Sequence, residues 1–328
     1  MRCPGCYAYL DDHLGDSVGL RQLGDYQGQA LVDRFFRLID EHNPLHVSIV
    51  GGEPLVRYRE LNQILPRLSA RGVHAQVVTS AVRPIPQEWK GLRNLEISVS
   101  IDGLQPEHDV RRAPATYDRI LRHIVGHQIS VHCTVTRQQV RRPGYLEAFV
   151  RLWSENDAVR KILVSLYTPQ VGEVSDERLT PADRSAVVAD LLHLRERFPK
   201  LRMPRAMIEV YATPPASPDE CVFSQMTTCI SADFRTRISP CQFGGDPDCA
   251  NCGCAASAGT SCRWASGSTP SSRRLSVWAL WSTGCAQCRR RERRPGPLEV
   301  PGRRCSMACV SSSSSRQALT TVRIERAG

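Results

Sequence analysis

The chain has 328 residues, 41% of them apolar, with 43 basic and 33 acidic side chains for a formal charge of +10. That is enough apolar material for a large core, and no apolar run approaches the length of a membrane span, so a membrane role is not expected. Residues 260–328 hold thirteen arginines, no lysine and three glutamates, which leaves thirty charges of each sign on the remainder. The body is therefore neutral, which argues against nucleic acid as its partner; only the tail would serve that purpose.

Met1 leads directly into Arg2-Cys3-Pro4-Gly5-Cys6-Tyr7, without a secretory leader. Fourteen cysteines in such a chain favour metal ligation in a reducing compartment over disulfides, so the cytoplasm is the expected location. Two periods then alternate along the sequence. Residues 30–42 place Leu31, Phe35, Leu38 and Ile39 at helical spacing, and residues 45–50 form a short apolar strand ending at Gly51-Gly52-Glu53-Pro54. A helix is predicted over 61–71, strands over 73–79 and 95–101, a helix over 116–126 and a strand over 129–136. A helix over 145–154 and a strand over 160–166 follow. Thr180-Pro181 then opens a helix that runs to Phe198.

Strands alternating with amphipathic helices imply right-handed crossovers and a parallel sheet, closed or partly closed into a barrel. Chemistry in such folds gathers at the carboxyl ends of the strands, where Gly51-Gly52-Glu53 and Asp102-Gly103 fall. Gly51 and Gly52 expose backbone groups and permit positive φ, and Glu53 would accept a hydrogen bond from a ligand ammonium. Taken alone, this is equally an ordinary strand-ending turn. Ser98, Ser100 and Asp102 alternate along one strand and share a face. Thr79-Ser80 and the Thr134, Thr136 pair end neighbouring strands. His132 and Cys133 read as barrel wall.

Cys221, Cys229, Cys241, Cys249, Cys252 and Cys254 lie within 34 residues, directly after the last predicted helix of the barrel. Cys249-x-x-Cys252-x-Cys254 brings three sulfurs to one centre, with Cys229 or Cys241 completing four; both an iron–sulfur cluster and a structural zinc remain open. Residues 260–328, with Arg289-Arg290-Arg291, an unbroken serine run from Ser311 to Ser315 and isolated Trp264, Trp278 and Trp281, read as a disordered or frameshift-derived tail.

Cys3-Pro4-Gly5-Cys6-Tyr7, followed by Gly51-Gly52-Glu53-Pro54-Leu55 at the end of the next strand, resembles the radical S-adenosylmethionine superfamily. The resemblance implies a partial (β/α)6 TIM-like barrel over 1–200, with the Cys-rich extension over 201–259. It implies a four-iron four-sulfur cluster on a Cys-x3-Cys-x2-Cys loop, and S-adenosylmethionine gripped by Gly51, Gly52, Glu53 and Pro54. The segment Ser98 to Gly103, with His108-Asp109 and Arg111-Arg112, resembles that family's Ser-x-Asp-Gly…His-Asp-x-x-Arg segment. Ser98, Ser100 and Asp102 would then approach the ribose, and Arg111 the ligand carboxylate.

The implied activity is reductive cleavage of the sulfonium to a 5′-deoxyadenosyl radical and hydrogen abstraction from a peptide or small molecule. A one-electron reductant such as flavodoxin or ferredoxin would serve it. Only Cys3 and Cys6 of the three site cysteines are present; the third would stand four residues before Cys3, ahead of Met1. Five strands are legible where that barrel has six. The expectation is a chain lacking its first strand, and the alternative is a non-catalytic relative that binds zinc or an incomplete cluster. The stretch Cys229 to Cys241 resembles the hairpin of SPASM/Twitch extensions, which carry auxiliary clusters, although Arg235-Thr236 replace the usual glycine.

Overall fold

The structure is a computed structural model that describes Cys6 and residues 10–24, 26–265 and 319–323. Five strands, β1 (His46–Val50), β2 (His74–Thr79), β3 (Leu95–Ser100), β4 (Ile129–Val135) and β5 (Val159–Leu166), lie parallel and side by side in sequence order. Helix α1 (Gly28–His42) precedes them. The connections carry α2 (Tyr58–Ala70), α3 (Glu107–Arg111), α4 (Tyr117–His123), α5 (Arg137–Val140) and α6 (Tyr145–Glu155), and α7 (Pro181–Arg197) follows β5. This is the α/β alternation that the two periods predict.

Local chemistry sets the helix ends. Asn43 closes α1 in the left-handed region at φ 41°, a conformation that asparagine tolerates. Thr180 opens α7 with a capping box: its hydroxyl accepts from the Asp183 N–H at 3.1 Å, and the Asp183 carboxylate accepts from the Thr180 N–H at 2.9 Å.

The two faces of the sheet differ. Val47, Ile49, Val77, Val99 and Val131 pack against Leu61, Ile64, Phe149 and Trp153 in one apolar core. The opposite face is polar and still buried. Ser98 pairs across to Ser130, and Ser130 to Lys161, with only 2%, 0% and 1% of each exposed. Near the amino ends of the strands, Lys161 forms an ion pair with Glu96 at 2.6 Å. A parallel sheet covered on both sides with one polar face is what a barrel wall requires, since the interior side chains then need a ligand or one another.

Both edges of the five-strand unit are closed. Along β5, the Ile162 N–H donates to Lys200 O at 2.7 Å, the Val164 N–H to Met203 Sδ at 3.4 Å and the Leu166 N–H to Gly253 O at 2.9 Å. The slot beside β1, expected from the sequence to stand empty, is filled. Strand β7 (Leu319–Arg323) lies in it, parallel to β1, and β6 (Thr227–Ile230) extends the sheet beyond β7 to seven strands. Short helices α8 (Arg205–Glu209) and α9 (Val222–Met226) precede β6, and α10 (Ala255–Ala265) runs across the position where the tail was expected to begin. Thr260 is buried there and bonds back to Ala256 O at 3.0 Å. Residues 260–265 and 319–323 thus belong to the fold, and the remainder of the expected tail lies outside the described residues. No helix among the described residues is long and apolar enough to cross a membrane.

Candidate functional site

Because all the strands run one way, Gly51, Ser80, Asp102, Thr136 and Tyr167 leave the carboxyl ends of β1–β5 at the same end of the sheet. Gly51 sits at φ 137°, which a side chain would resist, and with Gly52 it remains half-exposed. Glu53 is buried, and its carboxylate is fully engaged by the protein. One oxygen accepts from the Leu55 N–H at 2.9 Å and the Thr79 hydroxyl at 2.5 Å. The other accepts from the Ser80 N–H at 2.9 Å and from the Ser80 hydroxyl.

Four donors fill the acceptor capacity of a carboxylate. Glu53 therefore clamps the Gly-Gly turn after β1 to the end of β2 rather than offering an oxygen to a ligand ammonium. The Gly51 and Gly52 backbone beside it is half-exposed. Pro54 starts a short 3₁₀ turn behind it and is buried. Thr79 and Ser80, which the sequence places at the end of a neighbouring strand, are the clamp's other jaw.

Asp102 follows β3 and is 3% exposed. Burial works to raise its pKa, but Arg112, Arg111 and the Thr134 N–H override this and hold it at about 2. Arg112 Nε lies 2.7 Å from one carboxylate oxygen, and the Thr134 N–H donates to the other at 3.0 Å. Arg111 approaches Asp102 at 3.4 Å and makes a two-pronged bond to Glu177, one arm at 3.0 Å. Arg111, expected to meet a ligand carboxylate, has its fork committed to Glu177. Glu177 was missed: it lies in an irregular loop 66 residues from Arg111, where no periodicity points to it.

The Asp102 N–H donates to His108 Nδ1 at 3.1 Å, and His108 Nε2 lies 2.9 Å from Ala115 O. That pattern makes His108 a neutral Nε2–H tautomer, and burial lowers its pKa accordingly. Ser98 and Ser100 lie buried on the polar face just below Asp102. His132, across from Ser100, bonds to the Ser165 hydroxyl at 2.8 Å, and burial drives its pKa down to about 4. The sequence reading brings together Gly51, Gly52, Glu53, Ser98, Ser100 and Asp102 at one end of the sheet. Cys6 is half-buried, and Cys3 lies outside the described residues.

The second cysteine group is gathered. Cys221, Cys241, Cys249, Cys252 and Cys254 line one small cavity of about 20 Å³, with Phe223, Pro240 and Phe243 in its walls. Cys229 is buried on β6, close enough to add to the upward shift of Cys241. Burial raises the thiol pKa values of Cys241, Cys252 and Cys254, and that of Cys249 to about 11. Several hydrogen bonds reach these sulfurs: Gln242 Nε2 donates to Cys254 at 3.1 Å, the Cys254 N–H to Cys252 Sγ at 3.4 Å, and Ser257 lies 3.2 Å from Cys221. Among the described residues no three His, Cys, Asp or Glu side chains converge tightly enough to hold one metal ion. Of the tail cysteines, Cys285, Cys288, Cys305 and Cys309 lie outside the described residues.

Two residues fix this group to the barrel, and the sequence reading named neither. Gly253 carries the carbonyl that bonds to Leu166 at the end of β5, and a Cβ there would meet Leu166 O at 2.2 Å. Arg184, one turn into α7 and 7% exposed, donates to Asn251 O at 2.6 Å and to Cys252 O and Tyr211 O at 3.0 Å each. An arginine on a helix reads as solvated from sequence; a glycine between cysteines reads as loop. Only tertiary packing distinguishes them.

No family model matches the chain, and no curated protein matches it. Among solved structures, it is similar to Streptococcus suis SuiB bound to S-adenosylmethionine, with 18% identity over 60% of this chain and 42% of that one, at a TM-score of 0.43. The same protein bound to precursor peptide SuiA gives 19% identity over 60% and 44%, with a TM-score of 0.43. A third, anSMEcpe with bound AdoMet, gives 15% identity over 64% and 62%, with a TM-score of 0.45. The chain thus spans less than two thirds of each of these proteins, and what it is similar to, at low identity, is structures that hold S-adenosylmethionine or a precursor peptide.

Proposed function

We propose that the chain is built as a radical S-adenosylmethionine enzyme, with a peptide or small-molecule substrate received at the carboxyl end of the sheet. The observation that carries this reading is the Gly51-Gly52 turn. It is held at the end of β1 by Glu53 and the β2 end, with a glycine at positive φ and half-exposed backbone, beside the buried polar face of Ser98 and Ser100. Cys3 and Cys6 would hold the site cluster, and the Gly51-Gly52 backbone would receive the ligand's amino group. When bound, these groups would supply one electron to the sulfonium and a 5′-deoxyadenosyl radical for hydrogen abstraction, with flavodoxin or ferredoxin as the donor class. The chain's own contribution is a rigid, preformed turn and a buried polar wall that excludes bulk water.

The five cysteines on one cavity supply the sulfur ligands that an auxiliary iron–sulfur cluster would take, with a structural zinc as the alternative.

The test is anaerobic reconstitution with iron and sulfide of a chain given a third cysteine four residues ahead of Cys3, followed by dithionite and S-adenosylmethionine. The expected result is 5′-deoxyadenosine, detected by chromatography, and its loss in a Gly52→Val variant that still loads iron. Iron loading without any 5′-deoxyadenosine refutes the reading. The non-catalytic alternative rests on the two-cysteine N-terminal loop, and it predicts that the unextended chain binds metal yet gives no product.

A further inference from the structure

The buried Arg184 is a cation with no carboxylate in direct contact among the described residues. Its donors reach three backbone carbonyls, those of Tyr211, Asn251 and Cys252, and among the described residues no carboxylate lies within ion-pair distance of it. Carbonyl dipoles satisfy the N–H groups, and Asp248, which acts on Arg184 only at longer range, is itself paired with Arg178 at 2.6 Å; a buried charge is costly unless something of opposite sign stands near. The nearest candidates are sulfurs. Cys252 supplies one of the three carbonyls, and its side chain lines the cavity with Cys221, Cys241, Cys249 and Cys254. A group of neutral thiols would not balance a guanidinium. Thiolates bound to iron would, because such a centre carries net negative charge.

We infer that Arg184 is a positioning residue for the auxiliary metal centre: it fixes the Cys249–Cys254 loop from α7 and supplies the positive charge that the centre requires. The inference rests on the reading that this cysteine group binds iron and sulfide, and adds the residue that sets the centre's charge. Two features give it direction. The fork holds the backbone on both sides of the Asn251–Cys252 peptide, so the loop's shape is set from α7. Gly253 then lets the next peptide close onto β5 without a Cβ in the way. Charge and hydrogen bonding around the sulfurs are the terms by which a protein tunes such a centre. A cation beside it favours the reduced, more negative state.

The experiment uses the full chain carrying Cys3→Ala and Cys6→Ala, which removes the N-terminal pair, reconstituted anaerobically with ferrous iron and sulfide. Iron content, visible absorption and midpoint potential are compared among that protein, Arg184→Lys and Arg184→Gln. The glutamine variant is expected to shift to a more negative potential, and the lysine variant to keep the parent's potential while loading less iron, because charge is kept and the fork is lost. If the glutamine variant does not fold, the lysine variant decides: a potential displaced from the parent's overturns the inference. A glutamine variant with the parent's potential overturns it as well. No iron uptake by the parent, or uptake of zinc alone in a competition, sinks the cluster reading itself and the inference with it.

Discussion

The barrel mouth and the cysteine extension solve the burial of polar groups in opposite ways. At the mouth, Glu53 accepts four protein donors, and Asp102 is held by two guanidinium groups and a backbone amide. Nothing there depends on a ligand to complete it. In the extension, five thiols face a shared hollow with few hydrogen bonds to one another, and a guanidinium lies beside them with no carboxylate in contact. The polar groups of the mouth are satisfied within the protein, whereas the thiols of the extension face a space that they share.

The strongest break of that comparison lies below the mouth. Removing one partner of the Lys161–Glu96 pair, as in Lys161→Met, leaves a carboxylate alone in the barrel interior and is expected to cost about 3–5 kcal/mol. Urea denaturation measures this, and the double change with Glu96→Gln should recover much of the loss. In the extension, Gly253→Ala sets a Cβ against the Leu166 carbonyl, and is expected to cost about 3 kcal/mol because backbone meets backbone and neither yields. Limited proteolysis should then cut within 201–265 before it cuts the barrel. Equal susceptibility of both parts would show that they are one cooperative unit.

The smallest effect concerns pH. Asp102 has its pKa depressed from 3.8 to about 2, so its contribution is complete above the unfolded value and fades as pH falls toward 2. Converted at the usual rate, the shift is worth about 2.5 kcal/mol at neutral pH. In Asp102→Asn the slope of stability against pH between about 4 and 2 should flatten; an unchanged slope would remove Asp102 from the account.

Much of the fold is legible in the sequence because periodicity is local. The predicted strand over 95–101 is β3, from Leu95 to Ser100, and the helix opened by Thr180-Pro181 is α7. What is not legible is long-range. Glu53 has the residue type of a ligand-binding carboxylate, and only the fold reveals that Thr79 and Ser80, 26 and 27 residues on, consume it. Arg111 finds Glu177, and Arg184 finds Cys252 across 68 residues. Strand β7 was missed for a different reason: Leu319-Thr320-Thr321-Val322-Arg323 is too short and too polar to stand out, and gains its identity from the exposed edge of β1.

That edge has a consequence for how the molecule comes into being. Val47 pairs with Thr320, so the neighbour of β1 is synthesised long after β1 itself. Until that segment emerges, β1 must wait with one row of amides and carbonyls unanswered, a liability for adhesion between nascent copies. Closing the sheet joins segments far apart in the sequence, so this step of maturation is expected to be slow.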